Sequence, residues 1–90
     1  MKPEELHIAG CVAYMLPDHA ATIVRAIRTA SLCEVPRADA SGRAVLLIER
    51  ESAAAVMDVI DAVRALEGVI AVHLAYQHAE SESEMEKPHP

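Results

Sequence analysis

The sequence predicts an α+β domain of four strands and two helices in the order β-α-β-β-α-β, and three stretches carry that reading. Leu66 to Tyr76 passes from a helical stripe into a β-branched run with only Gly68 between them. The strand must therefore turn back along the face that its own helix covers. Arg43 to Glu49 reads Arg-Ala-Val-Leu-Leu-Ile-Glu, and its apolar centre asks for a central place in a sheet. Leu6 to Met15 is of continuous apolar character and feeds a second helical stripe, so the first half is another strand–helix–strand unit.

Taken in order, the first strand spans Leu6 to Met15 with Gly10 inside it. Leu16-Pro17-Asp18 ends it and opens a helix, since proline suits the first turn and an aspartate there favours the positive end of the helix dipole. Ala20, Ile23, Val24, Ile27 and Ala30 form that helix's apolar stripe, and Arg25 and Arg28 lie off it as surface residues. A short strand is expected at about Cys33 to Arg37. Pro36 cannot donate to a ladder, which puts this strand at a sheet edge. Ala38 to Gly42 is a turn, followed by the strand Arg43 to Glu49. Ser52 is the expected N-cap of a second helix whose stripe is Val56, Val59, Ile60, Val63 and Leu66.

Right-handed crossovers place both helices on one face of a four-stranded antiparallel sheet, with the first and third strands central. The other face is then left bare. Strand alternation sends Cys11, Ala13, Met15, Ala44, Leu46, Ile48, Val72, Leu74 and Tyr76 toward the helices. It leaves Gly10, Val12, Tyr14, Arg43, Val45, Leu47, Glu49, Ala71, His73 and Ala75 on the bare face. A solvent face would carry more charge than this set does, so the patch reads as a partner site, with dimer packing as the competing explanation. A one-residue bulge would exchange the two sets in a strand.

Hydrophobic residues make up 52% of the chain and aromatic ones only 2%, so the core is expected to be aliphatic and thin. One domain, residues 1–78, is expected, with an acidic, disordered tail over 79–90. The formal net charge of −6 disfavours nucleic acid, which is bound by clustered Lys and Arg, and favours a cationic partner. Two cysteines in separate elements, Cys11 and Cys33, read as buried reduced thiols of a cytoplasmic protein. There is no apolar signal segment at the start and no eighteen-residue uncharged apolar run, so stable membrane insertion is not expected.

The spacings that carry chemistry are missing. There is no Cys-x-x-Cys pair and no two His or Cys residues stand at an i,i+4 spacing on an expected helix, which leaves no metal site to propose; His7 and His73 could meet only if their strand parities agreed. No serine lies in a Gly-x-Ser-x-Gly context, and no enzyme activity is expected. An RNA-binding sheet would need aromatic stacking residues, and an acylphosphatase would need an anion-cradling glycine loop where Met15-Leu16-Pro17-Asp18 stands. A small-ligand regulatory module of the amino-acid-sensing type remains the alternative function.

The order His7-Ile8-Ala9-Gly10-Cys11-Val12-Ala13-Tyr14 ahead of Pro17, then Cys33-Glu34-Val35, then Ser41-Gly42-Arg43 leading into a strand that ends at Glu49, and Glu67-Gly68-Val69 running to Leu74-Ala75-Tyr76 resembles the NapD family. The resemblance covers roughly residues 7 to 78 and rests on several short motifs in order. It implies a ferredoxin-like fold and a small cytoplasmic chaperone that binds the twin-arginine signal peptide of the periplasmic nitrate reductase catalytic subunit. Binding would delay export until the molybdenum cofactor and iron–sulfur cluster are in place, and the chaperone itself would need no cofactor. On this reading Val12, Tyr14, Val45, Leu47 and Ala71 bury the apolar part of the peptide, with Gly10, His73 and Ala75 beside them, and Glu49 attracts the arginines. The chain is expected to act as a monomer or weak dimer.

Overall fold

The structure, a computed structural model, describes residues 5–81. Its strands are β1 (Glu5–Met15), β2 (Glu34–Ala38), β3 (Arg43–Arg50) and β4 (Val69–Ser81), and its helices are α1 (Ala20–Thr29) and α2 (Ala53–Arg64). They form one antiparallel sheet in the order β2-β3-β1-β4. This is the expected topology, with β1 and β3 central and Pro36 on an edge strand. β4 is longer than expected, because Ala79 to Ser81 continue its pairing with β1 rather than opening a tail. The remainder of the expected tail, 82–90, lies outside the described residues.

Two glycine turns pin the end of β1. Gly42 (φ +100°) accepts a hydrogen bond at its carbonyl from the Met15 amide at 2.7 Å, and Gly68 (φ +96°) accepts one from the Leu16 amide at 2.8 Å. Both backbones lie in the left-handed region that side chains resist. At Gly42 a Cβ would also overlap the Met15 carbonyl oxygen, so the close approach itself requires glycine. Pro17 opens a single 3-10 turn, Pro17–His19, which hands over to α1. Ser52 caps α2 as expected, its hydroxyl accepting from the Ala55 amide at 3.0 Å.

The core lies between the sheet and the helices. β1 contributes Ala9, Cys11, Ala13 and Met15, β3 contributes Ala44, Leu46 and Ile48, and β4 contributes Val72. Against them pack Ala20, Ile23, Val24 and Ile27 of α1 and Val56, Val59, Ile60 and Val63 of α2. Among the described residues none of polar or charged type is buried. The aliphatic members each stabilise by about 1.5–3 kcal/mol on burial, while the alanines on β1 and β3 let the helices approach the sheet closely. Ala30, expected in the α1 stripe, is exposed because the helix has already closed at Thr29. Arg28 is more than a solvated surface residue: its guanidinium donates to the Val35 carbonyl at 2.9 Å and ties the end of α1 to the edge strand.

Candidate functional site: the open sheet face

Cross-strand register arranges the bare face in rows. Arg43, Tyr14 and Ala71 stand opposite one another across β3, β1 and β4. The next row is Arg37, Val45, Val12 and His73, and the next is Glu34, Leu47, Gly10 and Tyr76. Glu49, Ile8 and His78 complete the series. The centre is apolar and aromatic. Tyr14 and His73 meet edge to face with ring centroids 5.5 Å apart, a geometry that suits the ring quadrupoles. Val45 is 38% and Tyr14 39% exposed, so side chains that normally seek burial stand half open to solvent.

Gly10, Val12, Tyr14, Val45, Leu47, Glu49, Ala71 and His73 thus share one face, as alternation predicts. The lower part of β4 does not follow it. Gly10 pairs with Tyr76 but Cys11 pairs with Leu74, so Ala75 is an extra residue without a partner on β1. The phase of the strand shifts by one there, and Tyr76, expected among the inward residues, comes out onto the bare face. Its ring lies over Gly10 and takes the space that a Cβ at that position would fill. Ala75, expected as a contact residue in its own right, sits in the bulge, and Tyr76 occupies the row in its place. Leu74 keeps the parity of Cys11 yet is 46% exposed. A second extra residue, Ile70, sits between the Tyr14 and Met15 pairings and is 64% exposed.

Glu34 and Arg37 also reach this face, and sequence reasoning did not include them. Glu34 faces Leu47 and Arg37 faces Val45, although a single strand period would put them on opposite sides. Val35 and Pro36 together stand against one β3 position, and that irregularity at the proline restores the parity. For Glu34 a signal was present, since it precedes the inward Val35. For Arg37 the signal was Pro36, whose missing N–H favours an irregularity at that point; for Tyr76 none was, because nothing local in the sequence marks the bulge at Ala75.

The face ends in charged groups. In the turn after β2, the Asp39 carboxylate accepts from the Ser41 hydroxyl at 2.5 Å, from the Ser41 amide at 3.0 Å and from the Arg43 amide at 3.3 Å. The Ser41 hydroxyl, followed by the Arg43 amide, holds this carboxyl below the usual aspartate value. At the opposite end a cavity of about 440 Å³ is lined by Glu34, Leu47 and Glu49 together with Arg28, Ser31, Cys33, Val35 and Arg50. Arg50 donates to the Leu32 carbonyl there, and to the Glu49 carbonyl at 2.7 Å. Burial raises the Cys33 thiol to about 11, against a weaker opposing pull from Arg50, and burial also raises Cys11. Both cysteines are free thiols. His7 and His73 lie on opposite faces, for His7 shares the parity of Ala9 while His73 pairs with outward Val12. Among the described residues no group of three or more His, Cys, Asp or Glu side chains could hold a metal ion.

Two helices packed on one side of a β2-β3-β1-β4 sheet, with an apolar and aromatic surface left bare on the other, define a ferredoxin-like α+β domain with a docking face. The NapD protein family matches residues 6–81, and the chain belongs to that family. It is 40% identical over 53 residues to the Chaperone NapD of Escherichia coli strain K12, a stretch covering 58% of this chain and 61% of that relative. The same figures hold for the Chaperone NapD of Shigella flexneri. The matched stretch therefore spans less than two thirds of these relatives. In three dimensions the fold is similar over 100% of this chain to the solution structure of the E. coli Tat proofreading chaperone protein NapD, covering 94% of that chain with a TM-score of 0.76 and 28% identity. Among the described residues no helix is long and apolar enough to cross a membrane.

Proposed function

We propose that this chain is a cytoplasmic assembly chaperone that binds the twin-arginine signal peptide of the periplasmic nitrate reductase catalytic subunit precursor. It acts by binding, without catalysis, and holds back export until the cofactors of its client are inserted. The observation that carries this reading is the bare sheet face on which Val12, Tyr14, Val45, Leu47 and Tyr76 form one surface with no helix of the described residues over it. Such a surface buries the apolar middle of a signal peptide, and carboxylates at its border attract the arginines. Membership of the NapD family and the likeness to a protein described as a Tat proofreading chaperone support the same reading.

Calorimetric titration with that signal peptide, beside a copy with both arginines changed to lysine, tests it. Binding of the native peptide, weaker for the lysine copy, is expected, because lysine cannot reproduce the planar fork of arginine at a carboxylate. No heat of binding with either peptide sinks the proposal. Val12→Asp and Leu47→Asp each place a charge in the middle of the face and should abolish binding while circular dichroism stays unchanged. Binding that survives both substitutions removes this face from the mechanism.

A further inference from the structure

The open face is electrically polar along its length. Arg37 and Arg43 stand at the end where β3 begins, and Glu34 and Glu49 at the end where it finishes. Row by row the charged groups run Arg43, Arg37, Glu34, Glu49, with Arg37 level with Val45 and Val12 and Glu34 level with Leu47 and Gly10. Glu34 faces Leu47 across the ladder and Glu49 stands two residues further along the same side of β3, so two carboxylates flank one leucine. Diagonal neighbours of this kind are about 7–8 Å apart, a gap that one guanidinium can bridge or two can share. Neither carboxylate is in a hydrogen bond or ion pair with another described residue. The cavity at that corner is also lined by Arg28 and Arg50, but both are held by carbonyls, Arg28 on the helix layer and Arg50 with the inward parity that follows Glu49. A cationic ligand therefore meets the carboxylates from the bare side of the sheet. At the other end the Asp39 carboxylate, 3.9 Å from the Arg43 guanidinium, offsets part of that charge, and Arg37 is in no hydrogen bond or ion pair with a described residue.

We propose that the face reads its ligand in one direction. Adjacent guanidiniums of the peptide sit over Glu34 and Glu49, and the apolar segment that follows them runs across Leu47, Val45 and Val12 to end beside Tyr14. Arg37, in the row before it, and Arg43 beyond disfavour a cationic group in that half of the face, so the reversed placement meets like charge. Glu34 and Glu49 are thereby specificity-determining residues. The inference rests on the reading of this face as a signal-peptide site. The dimensions agree with a single helical ligand: Arg43 to Glu49 is six residue steps, about 20 Å, the length of about 13 helical residues. Three inter-strand spacings make the sheet about 14 Å wide, room for one helix about 10–12 Å across and not for two.

The test uses a synthetic peptide in which two arginines precede a run of leucine and alanine, spin-labelled at its first or at its last residue and added to the full isotopically labelled chain. A label at the arginine end should broaden the amide signals of Ile8, Glu34 and Glu49, and one at the far end those of Tyr14, Arg43 and Ala71. The opposite pattern, or equal broadening at both ends from either label, overturns the direction while leaving peptide docking intact. Absence of any binding overturns the direction and the docking reading together. In the E34Q/E49Q variant, affinity for this peptide should fall about tenfold and the two labels should lose their distinct patterns. Unchanged affinity and unchanged patterns in that variant overturn the assignment of the two carboxylates.

Discussion

Cys33 shows how one side chain couples burial to pH. Its thiol, half covered where the chain leaves α1 for β2, is raised from 9.0 to about 11 by desolvation, with Arg50 drawing it the other way. The folded state binds this proton more tightly than the unfolded chain does, so the contribution to stability is complete below pH 9.0 and is lost as pH rises toward about 11. Thermal melts across that window should fall more steeply for the native chain than for Cys33→Ala. Equal slopes would show that the thiol does not carry the alkaline loss. Alkylation by iodoacetamide should accordingly be slow at neutral pH, since the thiolate is the reacting species.

At the scale of elements, the glycine turns and the bulges set what the strands present. Gly42→Ala puts a Cβ against the Met15 backbone at φ +100°, where neither partner can yield, and should cost about 2–4 kcal/mol in denaturant unfolding. Gly10→Ala meets only the ring of Tyr76, which is 52% exposed and can swing into solvent, so about 1 kcal/mol or less is expected. If the two substitutions cost the same, close backbone approach is not what requires Gly42. The order of elements was legible because each boundary has a local chemical cause: Pro17 and Ser52 at helix starts, Gly42 and Gly68 at turns, Pro36 on an edge. Most of the candidate face was legible for the same reason, through a strict alternation in β1 and β3. The position of Tyr76 was not, because a bulge is a compromise between two strands. His73-Leu74-Ala75-Tyr76 contains no residue whose own preference announces the shift, and the reason lies across the ladder, where Gly10 leaves room for a ring. The tether from Arg28 to Val35 was likewise invisible, since it depends on how α1 lies over β2.

For the molecule as a whole, the formal charge of −6 acts at longer range than any of these contacts. On the proposed function it should steer a cationic peptide toward the chain before contact, and the apolar rows should hold the peptide after contact. Stopped-flow measurements with the signal peptide should therefore show an association rate that falls steeply as sodium chloride is raised, with a smaller rise in the dissociation rate as the contacts to Glu34 and Glu49 are screened. A salt effect confined to dissociation would remove the long-range steering. The acidic residues and the bare face are in this sense successive filters, one acting through solvent and one through exclusion of it. The unpaired Ala75 gives the second filter an unusual freedom. It works as a phase shifter in β4: residues above it and below it keep their ladder partners, yet the rule assigning odd and even positions to a face is reversed between them. Were Ala75 to take the place opposite Gly10, Tyr76 would turn inward against Ala9 and Gln77 outward against Ile8, so the surface offered to a ligand is rewritten by one step of register with no side chain changed.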